Sequence, residues 1–506
     1  MDEQLKNIAD QLLHYNENKP LFYTGIAFWL AFAIILGLYS FFYQKSLLRN
    51  SYLLLVSWYV YYQINGAFLS LLLFSCLANY GFGLLIHRFR RTKLWIIAAV
   101  SFNLLVLAYF KYSYFFTESV NHFFGTNYTV FNWLGWLLNQ VSSGMADVHS
   151  IVLPIGISFY TFQAISYLAD LRTNKVAVVK NPVDFCFYLS FFPQLVAGPI
   201  VRAASFIPQL YQKYRLSREE LSHAVFLILK GLFKKLVIAD FLALNLVDRV
   251  FDAPGSYSGL ENLAAIYSYS VQIYCDFSGY TDIAIGLALL LGYKIPVNFN
   301  APYCARGLTD FWRRWHISLS LWLRDYLYIP LGGNRKSKLR MYSNLLITML
   351  LGGLWHGASW HFIIWGGIHG IGLALEKLFR QLRLLKPNTG GIGKFVSIFF
   401  TFQLVSFGWV FFRGENQEKI YHLFYQIKHH FVPRTTSEGL WSYLPVCGIL
   451  LLGFLLIWFP FHQKEKIRGW FIRQNMAVQL ILCVFIILLI QAVSQSDIQQ
   501  FIYFQF

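Results

Sequence analysis

The sequence contains few charged residues for its length. Only 13% of the 506 residues are Asp, Glu, Lys or Arg, whereas 57% are hydrophobic and the mean hydropathy is +0.47. Soluble domains carry about 25% charged residues, so a soluble globular fold is excluded. Several apolar runs reach the roughly twenty residues that a helix needs to cross a bilayer, and they are continuous rather than alternating. The sequence therefore predicts an all-α, polytopic membrane protein and argues against a strand barrel.

Cysteine is also scarce, and its spacing does not suggest a metal site. The six cysteines lie mostly in apolar runs, without CxxC or Cys/His spacing: Cys76, Cys186, Cys275, Cys304, Cys447 and Cys483. We expect them to be small buried side chains, with no metal and no bound cofactor. The segment 1–20 is polar and mildly acidic, unlike a cleavable signal peptide, so the first apolar run, 21–43, is interpreted as a retained span.

Acidic residues are outnumbered by basic ones, 24 against 42, which gives a net charge of +18. The basic residues cluster between apolar runs, as cytoplasmic loops do under the positive-inside rule, and this explains most of the charge. A site for an anionic substrate would explain the remainder, and nucleic acid is not expected. The loop 87–93 is the most basic short connection. Placing it in the cytoplasm puts the N-terminus outside.

This topology predicts about ten transmembrane helices in a single domain, residues 1–506. Two further apolar segments, 183–200 and 344–376, have basic residues on both sides and are interpreted as re-entrant. The stretch 292–343 has nine Lys and Arg against two Asp and is predicted to be a cytoplasmic basic segment. The remaining part, 413–506, is predicted to contain the C-terminal helices.

His356 lies in the middle of the second re-entrant segment. The stretch 344–376 is too short for two spans of about twenty residues, and the glycines around position 356 allow a break. His356 is therefore predicted at the tip of an inner hairpin, deep in the membrane. An ionisable side chain at that depth is costly and usually functional, and histidine is suited to moving protons.

A second histidine, His316, follows the basic and aromatic cluster Phe311-Trp312-Arg313-Arg314-Trp315. Guanidinium groups bind phosphate bidentately and stack on planar rings, so Trp312, Arg313 and Arg314 suit an anionic donor such as a coenzyme A thioester. Anchoring of an interfacial helix to anionic lipid explains the same residues equally well. If the two histidines meet, they do so in a funnel that runs from the cytoplasm into the membrane.

Other ionisable residues in apolar runs have simpler interpretations. His361 and His369 are expected to be hydrogen-bonded core histidines. Asp276 and Asp282 are intramembrane carboxylates that could relay protons. Pairing with one of the lysines on the preceding helix, Lys230, Lys234 or Lys235, is at least as good an explanation.

Six motifs, taken in order, resemble the membrane-bound O-acyltransferase family, and in particular its bacterial alginate O-acetyltransferase branch. They are Pro154-Ile155-Gly156-Ile157-Ser158-Phe159-Tyr160, Ala197-Gly198-Pro199, Asp276-Phe277-Ser278-Gly279-Tyr280, Phe311 to Ser320, Leu323-Arg324-Asp325-Tyr326-Leu327-Tyr328-Ile329 and Leu351 to Gly357. The resemblance runs from about residue 21 to 412.

The resemblance implies an enzyme whose helices surround a central tunnel, with His356 as the catalytic histidine and His316 as the second family histidine. It implies acetyl-coenzyme A as the donor and O-acetylation of an extracellular polysaccharide. The implied partners are a secreted or membrane-anchored acyltransferase of hydrolase type and the polysaccharide synthesis machinery. The expected location is the bacterial inner membrane.

The alternatives are D-alanyl transfer to teichoic acid from a carrier protein, O-acetylation of peptidoglycan, and transport of acyl groups without catalysis. An inverted repeat, typical of transporters, is not visible in the sequence. The sequence leaves open the identity of the polysaccharide and whether transfer passes through a covalent intermediate.

Overall fold

A computed structural model of the protein describes residues 2–17, 19–89, 93–141, 147–384, 390–432, 441–493 and 501–502. Within these ranges all regular secondary structure is helical. The helices of the first half are α1 Asp2–Leu13, α2 Ile26–Tyr39, α3 Ser46–Asn65, α4 Leu69–Arg88, α5 Leu94–Phe124, α6 Trp133–Val141, α7 Ile157–Arg172, α8 Pro182–Ser190, α9 Phe192–Ala197, α10 Ala203–Phe206, α11 Arg218–Leu232, α12 Asp240–Leu242 and α13 Asp248–Asp252. Those of the second half are α14 Gly259–Leu290, α15 Leu308–Trp312, α16 Ile317–Leu323, α17 Lys338–His356, α18 Trp360–Gln381, α19 Gly391–Arg413, α20 Gln417–His429, α21 Leu444–Trp458, α22 Phe461–Arg473 and α23 Met476–Val493.

Six helical stretches in the described part of the chain are long and apolar enough to cross a membrane: 46–88, α5, α14, α18, α19 and α23. A seventh results if α21 and α22, which are bent by 95°, are counted as one span. The sequence predicted about ten. The numbers differ partly because 46–88, which contains both α3 and α4, is counted as one stretch. In addition, α2 has only 14 residues, α7 has only 16, and the run that begins with α11 is interrupted by the π-helical segments Phe233–Ala239 and Ala243–Val247. Conversely, α18 is counted although the sequence predicted a re-entrant segment there.

Helix α14 is the most deeply buried of these spans, since 89% of its most apolar window lies inside the protein. It begins at a capping box, in which Ser258 Oγ accepts the Glu261 N–H and the Glu261 carboxylate accepts the Ser258 N–H at 2.8 Å. This arrangement satisfies two N–H groups that the first turn of a helix leaves unpaired. Protein surrounds α14 on most sides, which is why the span tolerates the carboxylates Asp276 and Asp282.

Helices α17 and α18 form a hairpin, as the sequence predicted, but their lengths differ from the prediction. The hairpin extends from 338 to 381, so α17 has 19 residues and α18 has 22, and α18 alone qualifies as a span. The estimate from 344–376 was too short because Ser337, whose Oγ accepts the Arg340 N–H, starts α17 earlier. The two helices pack closely at Gly353 and Gly366, where a Cβ atom would collide with the backbone of the other helix.

Two other segments are more buried than their sequences suggest. In 183–200, α8 and α9 are broken at Phe191, and the side chains around the break are almost completely enclosed by protein. In the basic segment 292–343, the first part packs into the core through Tyr293, Phe311 and Trp315, whereas its lysines and arginines remain at least partly exposed. The core part brings His316 into the interior.

Candidate active site

The turn between α17 and α18 places His356 at the last position of α17. The helix ends there because Gly357 has an extended backbone, with φ −155° and ψ 148°. Ser359 then caps α18 by accepting the His361 N–H. His356 is buried, with only 3% of its surface exposed.

The end of α17 is held by α5. Lys111 Nζ donates to the backbone carbonyls of Trp355 and His356 at 2.7 and 2.9 Å, and Tyr112 Oη donates to the carbonyl of Leu354 at 3.1 Å. A cation at this position satisfies carbonyls that a helix end leaves unpaired and complements the helix dipole. Lys111 lies roughly 25 Å along α5 from its start and roughly 20 Å from its end. The carbonyl of His356 therefore lies level with the middle of α5.

His316 lies at the start of α16 and has a strained backbone, with φ +42°. This conformation is uncommon for a residue with a Cβ atom and tends to persist only where surrounding contacts impose it. Asn298 supplies those contacts. Its carbonyl accepts the Ile317 N–H at 3.0 Å, and its Oδ1 accepts the Ser318 N–H at 3.0 Å.

The same Asn298 Oδ1 lies 3.3 Å from His316 Nδ1. Because the Ser318 N–H can only donate, the atom that accepts it must be the amide oxygen rather than the amide nitrogen. His316 Nδ1 is then the donor in its contact with that oxygen, and the lone pair of the neutral ring resides on Nε2. Asn298 thus sets both the backbone and the tautomer of His316.

The structure brings the two predicted histidines together. Their ring centroids lie 6.3 Å apart, and His316 is fully buried. Aromatic rings enclose the pair: Trp355 contacts both imidazoles, Phe277 packs on His316 at 4.8 Å, and Trp365 and Phe412 pack on His356 at 5.1 and 5.3 Å. A neutral imidazole in such a site can take a proton from a hydroxyl group, which is the task of a general base.

The predicted donor-binding residues take three different positions. Trp312 is buried, and its Nε1–H donates to His369 Nδ1 at 3.3 Å, which agrees with the expectation that His369 is a hydrogen-bonded core residue. Arg313 is exposed. Arg314 is about one-third exposed, and its Nε donates to Asp310 at 2.8 Å. Of these three residues, the two arginines reach the surface and Trp312 does not.

The intramembrane carboxylates are paired with the lysines that the sequence analysis named. Asp282 accepts from Lys230 at 2.9 Å and from Lys234 at 2.7 Å, and Asp276 accepts from Lys235 at 2.5 Å. This pairing was one of the two interpretations left open, and it makes both carboxylates part of ion pairs rather than isolated groups. A group of three or more His, Cys, Asp or Glu residues that could hold a metal is not found among the described residues.

Sequence analysis missed Lys111 and Asn298. Lys111 is the one cation inside the apolar run 94–116, and an ionisable residue at membrane depth is usually functional. Asn298 carries no comparable signal, since an asparagine in a polar loop is ordinary.

Two cavities lie away from the histidines. One of about 980 Å³ lies between α4, α5 and the segment 129–137, and another of about 300 Å³ lies between α17 and α18. Neither is lined by His316 or His356. In this structure the rings around the pair are closely packed.

Comparison with known proteins gives consistent matches. A model of the membrane-bound O-acyltransferase family (MBOAT) matches residues 82–402. A probable alginate O-acetylase of Azotobacter vinelandii is 39% identical over 409 residues, covering 80% of this chain and 77% of its own. A peptidoglycan O-acetyltransferase of Helicobacter pylori is 38% identical, covering 74% and 73%. A teichoic acid D-alanyltransferase of Streptococcus thermophilus is 31% identical, covering 55% and 72%.

Proposed function

The chain belongs to the membrane-bound O-acyltransferase family and is a membrane acyltransferase, and from this premise we propose that it transfers acetyl groups from acetyl-coenzyme A. The final acceptor that we propose for the acetyl group is an extracellular polysaccharide of the alginate type. Relatives named as alginate O-acetylases support this acceptor, since they match about four-fifths of the chain.

The observation that carries the proposal is the buried pair His316 and His356, whose rings are 6.3 Å apart. His356 takes the proton of the acceptor hydroxyl as its oxygen attacks the thioester carbonyl carbon. The carbon–sulfur bond then breaks, and the departing thiolate receives the proton. His316, oriented by Asn298, positions the donor or the acceptor. Exclusion of water by the surrounding rings protects the thioester from hydrolysis.

The donor enters from the cytoplasm in this proposal. Arg313 and Arg314 are the cations at the surface nearest to His316 along the chain, and guanidinium groups bind phosphate well. Trp312 is buried against His369, so it supports this region by packing. The competing explanation is that the arginines anchor the protein to anionic lipid. The two explanations differ in whether replacing an arginine raises the KM for the donor.

The proposed location is the bacterial inner membrane, with the N-terminus outside. From there the acetyl group passes to a secreted or membrane-anchored acyltransferase of hydrolase type, which works with the polysaccharide synthesis machinery. The basic loop 87–93 and the exposed cations of 324–340 support a cytoplasmic donor side.

Peptidoglycan is the second candidate acceptor. The Helicobacter pylori relative, named a peptidoglycan O-acetyltransferase, is 38% identical over 408 residues, close to the 39% identity of the first alginate relative. The D-alanyltransferase match is weaker and covers 55% of the chain. The chemistry at His356 is the same for all three acceptors.

Transfer of labelled acetyl groups tests the proposal. Cells that express the full chain, or His356→Ala, are assayed for O-acetyl esters in exopolysaccharide and in peptidoglycan. We expect His356→Ala to lower ester formation by about 10²–10⁴-fold, as for loss of a general base. His361→Ala is the matched control, because His361 lies on the same hairpin, is partly exposed and contacts Ser359. Esters confined to peptidoglycan would favour the second acceptor, and normal ester formation by His356→Ala would reject the catalytic assignment.

A further inference from the structure

Several buried nitrogen atoms have no hydrogen-bond partner within the described part of the chain, and two of them lie near both His356 and Gly408. These two are Nε1 of Trp365 and Nε2 of His369. Trp365 is 1% exposed and His369 is fully buried. A buried polar group without a partner costs stability, so each such group in a folded protein calls for an explanation.

The contact between His369 and Trp312 shows whether His369 Nε2 is a hydrogen-bond donor or an acceptor. An indole N–H can only donate, so His369 Nδ1, which lies 3.3 Å from Trp312 Nε1, must be the acceptor. The proton of the neutral ring is then on Nε2. Both atoms, Trp365 Nε1 and His369 Nε2, are therefore hydrogen-bond donors, and each lacks an acceptor among the described residues.

The two donor nitrogens lie close to Gly408 in α19, on the side where a side chain would project. A Cβ atom at Gly408 would lie 3.3 Å from His369 Nε2 and 3.7 Å from Trp365 Nε1. Both neighbours of Gly408 in the chain, Phe407 and Trp409, have large side chains. The absence of a side chain at Gly408 thus leaves one small space next to both donor nitrogens.

This space is close to His356, because the Trp365 ring contacts His356. The Trp365 ring lies 5.1 Å from the His356 ring and 4.9 Å from the His369 ring. Phe412, one turn further along α19 than Gly408, contacts His356 at 5.3 Å. The donors are consequently close to the place where a reacting group would meet His356.

We propose that Trp365 Nε1–H and His369 Nε2–H together bind one substrate oxygen beside Gly408, the carbonyl oxygen of the transferred acetyl group. This inference rests on the proposed function. As the acceptor oxygen bonds to the carbonyl carbon, the C=O π electrons move to this oxygen, which becomes negative. Collapse of the intermediate returns the electrons and breaks the carbon–sulfur bond. Two fixed donors in a dry site stabilise that negative charge.

Three variants test this assignment in cells, whatever the donor molecule is. Trp365→Phe removes one N–H and keeps a ring, and Gly408→Ala fills the space with a methyl group. Trp409→Phe is the control, because the Trp409 N–H is already paired with Tyr303 Oη at 3.1 Å. We expect Trp365→Phe and Gly408→Ala to lower ester formation per folded protein by about 10²-fold or more, as for loss of an oxyanion donor. Trp409→Phe should retain its rate per folded protein.

The two donors could hold the oxygen of a buried water instead of a substrate oxygen. The unfolding temperature and the rate per folded protein, measured together, distinguish the two. If water occupies the space, Trp365→Phe and Gly408→Ala lower the unfolding temperature and leave the rate per folded protein unchanged, which overturns the proposal. If a substrate oxygen occupies it, Trp365→Phe and Gly408→Ala lower the rate per folded protein, whatever their unfolding temperatures.

Binding of two inert coenzyme A derivatives to the purified protein identifies the oxygen. Acetonyl-coenzyme A keeps a carbonyl group, and S-propyl-coenzyme A has the same chain length without it. We expect the unmodified protein to prefer the ketone by about tenfold, the effect of two ordinary hydrogen bonds, and Trp365→Phe to lose most of this preference. An equal preference in both proteins would overturn the assignment. Failure of the unmodified protein to bind either derivative would reject acetyl-coenzyme A as the donor, while the assay in cells still tests the two N–H groups.

Discussion

Asn298 Oδ1 lies 3.3 Å from His316 Nδ1 and also accepts both the N–H and the Oγ–H of Ser318, at 3.0 and 2.9 Å. One amide oxygen thereby holds the backbone that follows His316 and the ring of His316 itself. Because His316 has a positive φ, the loop would relax without this contact, and its ring would move away from His356.

Replacement of Asn298 tests this relationship. Asn298→Ala removes the common acceptor of Ser318 and His316, and we expect a loss of about 1–3 kcal/mol in the free energy of unfolding and a marked fall in acetyl transfer. Asn298→Asp keeps the oxygen and should restore part of both. The measurements are thermal unfolding in detergent and ester formation per folded protein. Full activity of folded Asn298→Ala would contradict the positioning role.

Lys111 is predicted to hold the end of α17. Lys111→Met leaves the carbonyls of Trp355 and His356 without their donor, and hydrogen bonds from charged groups contribute about 1.5–3 kcal/mol each. We expect lower stability and lower ester formation. Tyr112→Phe, which removes one neutral hydrogen bond to the carbonyl of Leu354, is the matched control and should cost about 1 kcal/mol. Equal effects of the two variants would argue against a special role for the cation.

Lys235 is predicted to contribute to stability through the buried carboxylates. Its Nζ lies 2.5 Å from Asp276 and 2.6 Å from Asp240, and all three side chains are buried. Lys235→Met leaves two uncompensated carboxylates, and breaking a buried pair costs about 3–5 kcal/mol. Lys230→Met provides the comparison, since Lys230 is 37% exposed and its partner Asp282 retains Lys234. That variant should lose about 1 kcal/mol or less in the same unfolding measurement.

The arginines near His316 are predicted to bind the donor, with Arg313 more important than Arg314. Arg314 already pairs with Asp310, whereas Arg313 is exposed. Arg313→Ala should raise the KM for acetyl-coenzyme A about ten- to a hundredfold in reconstituted vesicles, and lysine should rescue only part of it because it lacks the planar guanidinium. Arg340→Ala, at an exposed position on α17, is the control. A lower maximal rate with an unchanged KM would make Arg313 structural.

The orientation is testable by cysteine labelling in a cysteine-free background. Single cysteines at Lys93, Lys175 and Lys338 are expected to be protected from an impermeant reagent in intact cells, and one at Gly125 is expected to react. All four positions are exposed and lie outside the closely packed core. Labelling at position 338 in intact cells would place the 324–340 cations on the outer side and would reject the cytoplasmic donor entry.

Part of the site was predictable because its signals are local. A histidine in an apolar run, with glycines on both sides of it, predicted a hairpin with His356 at its tip. Lysines on the helix before Asp276 and Asp282 made ion pairing one of the two interpretations. The lengths of the hairpin helices and the number of spans were predicted less well. Hydropathy does not detect polar helix starts such as Ser337, nor does it distinguish a lipid-facing helix from a buried, interrupted one.

The sequence by itself determined the class of protein, a helical membrane acyltransferase, and predicted the two candidate site histidines, His316 and His356. These follow from composition, hydropathy and short motifs, which are properties of neighbouring residues. The tertiary structure decided what holds those histidines: Lys111 reaches the carbonyl of His356 across 245 positions of the chain, and Asn298 reaches His316 across 18. Such contacts depend on how whole helices pack, and packing is set by many weak interactions that no single segment encodes.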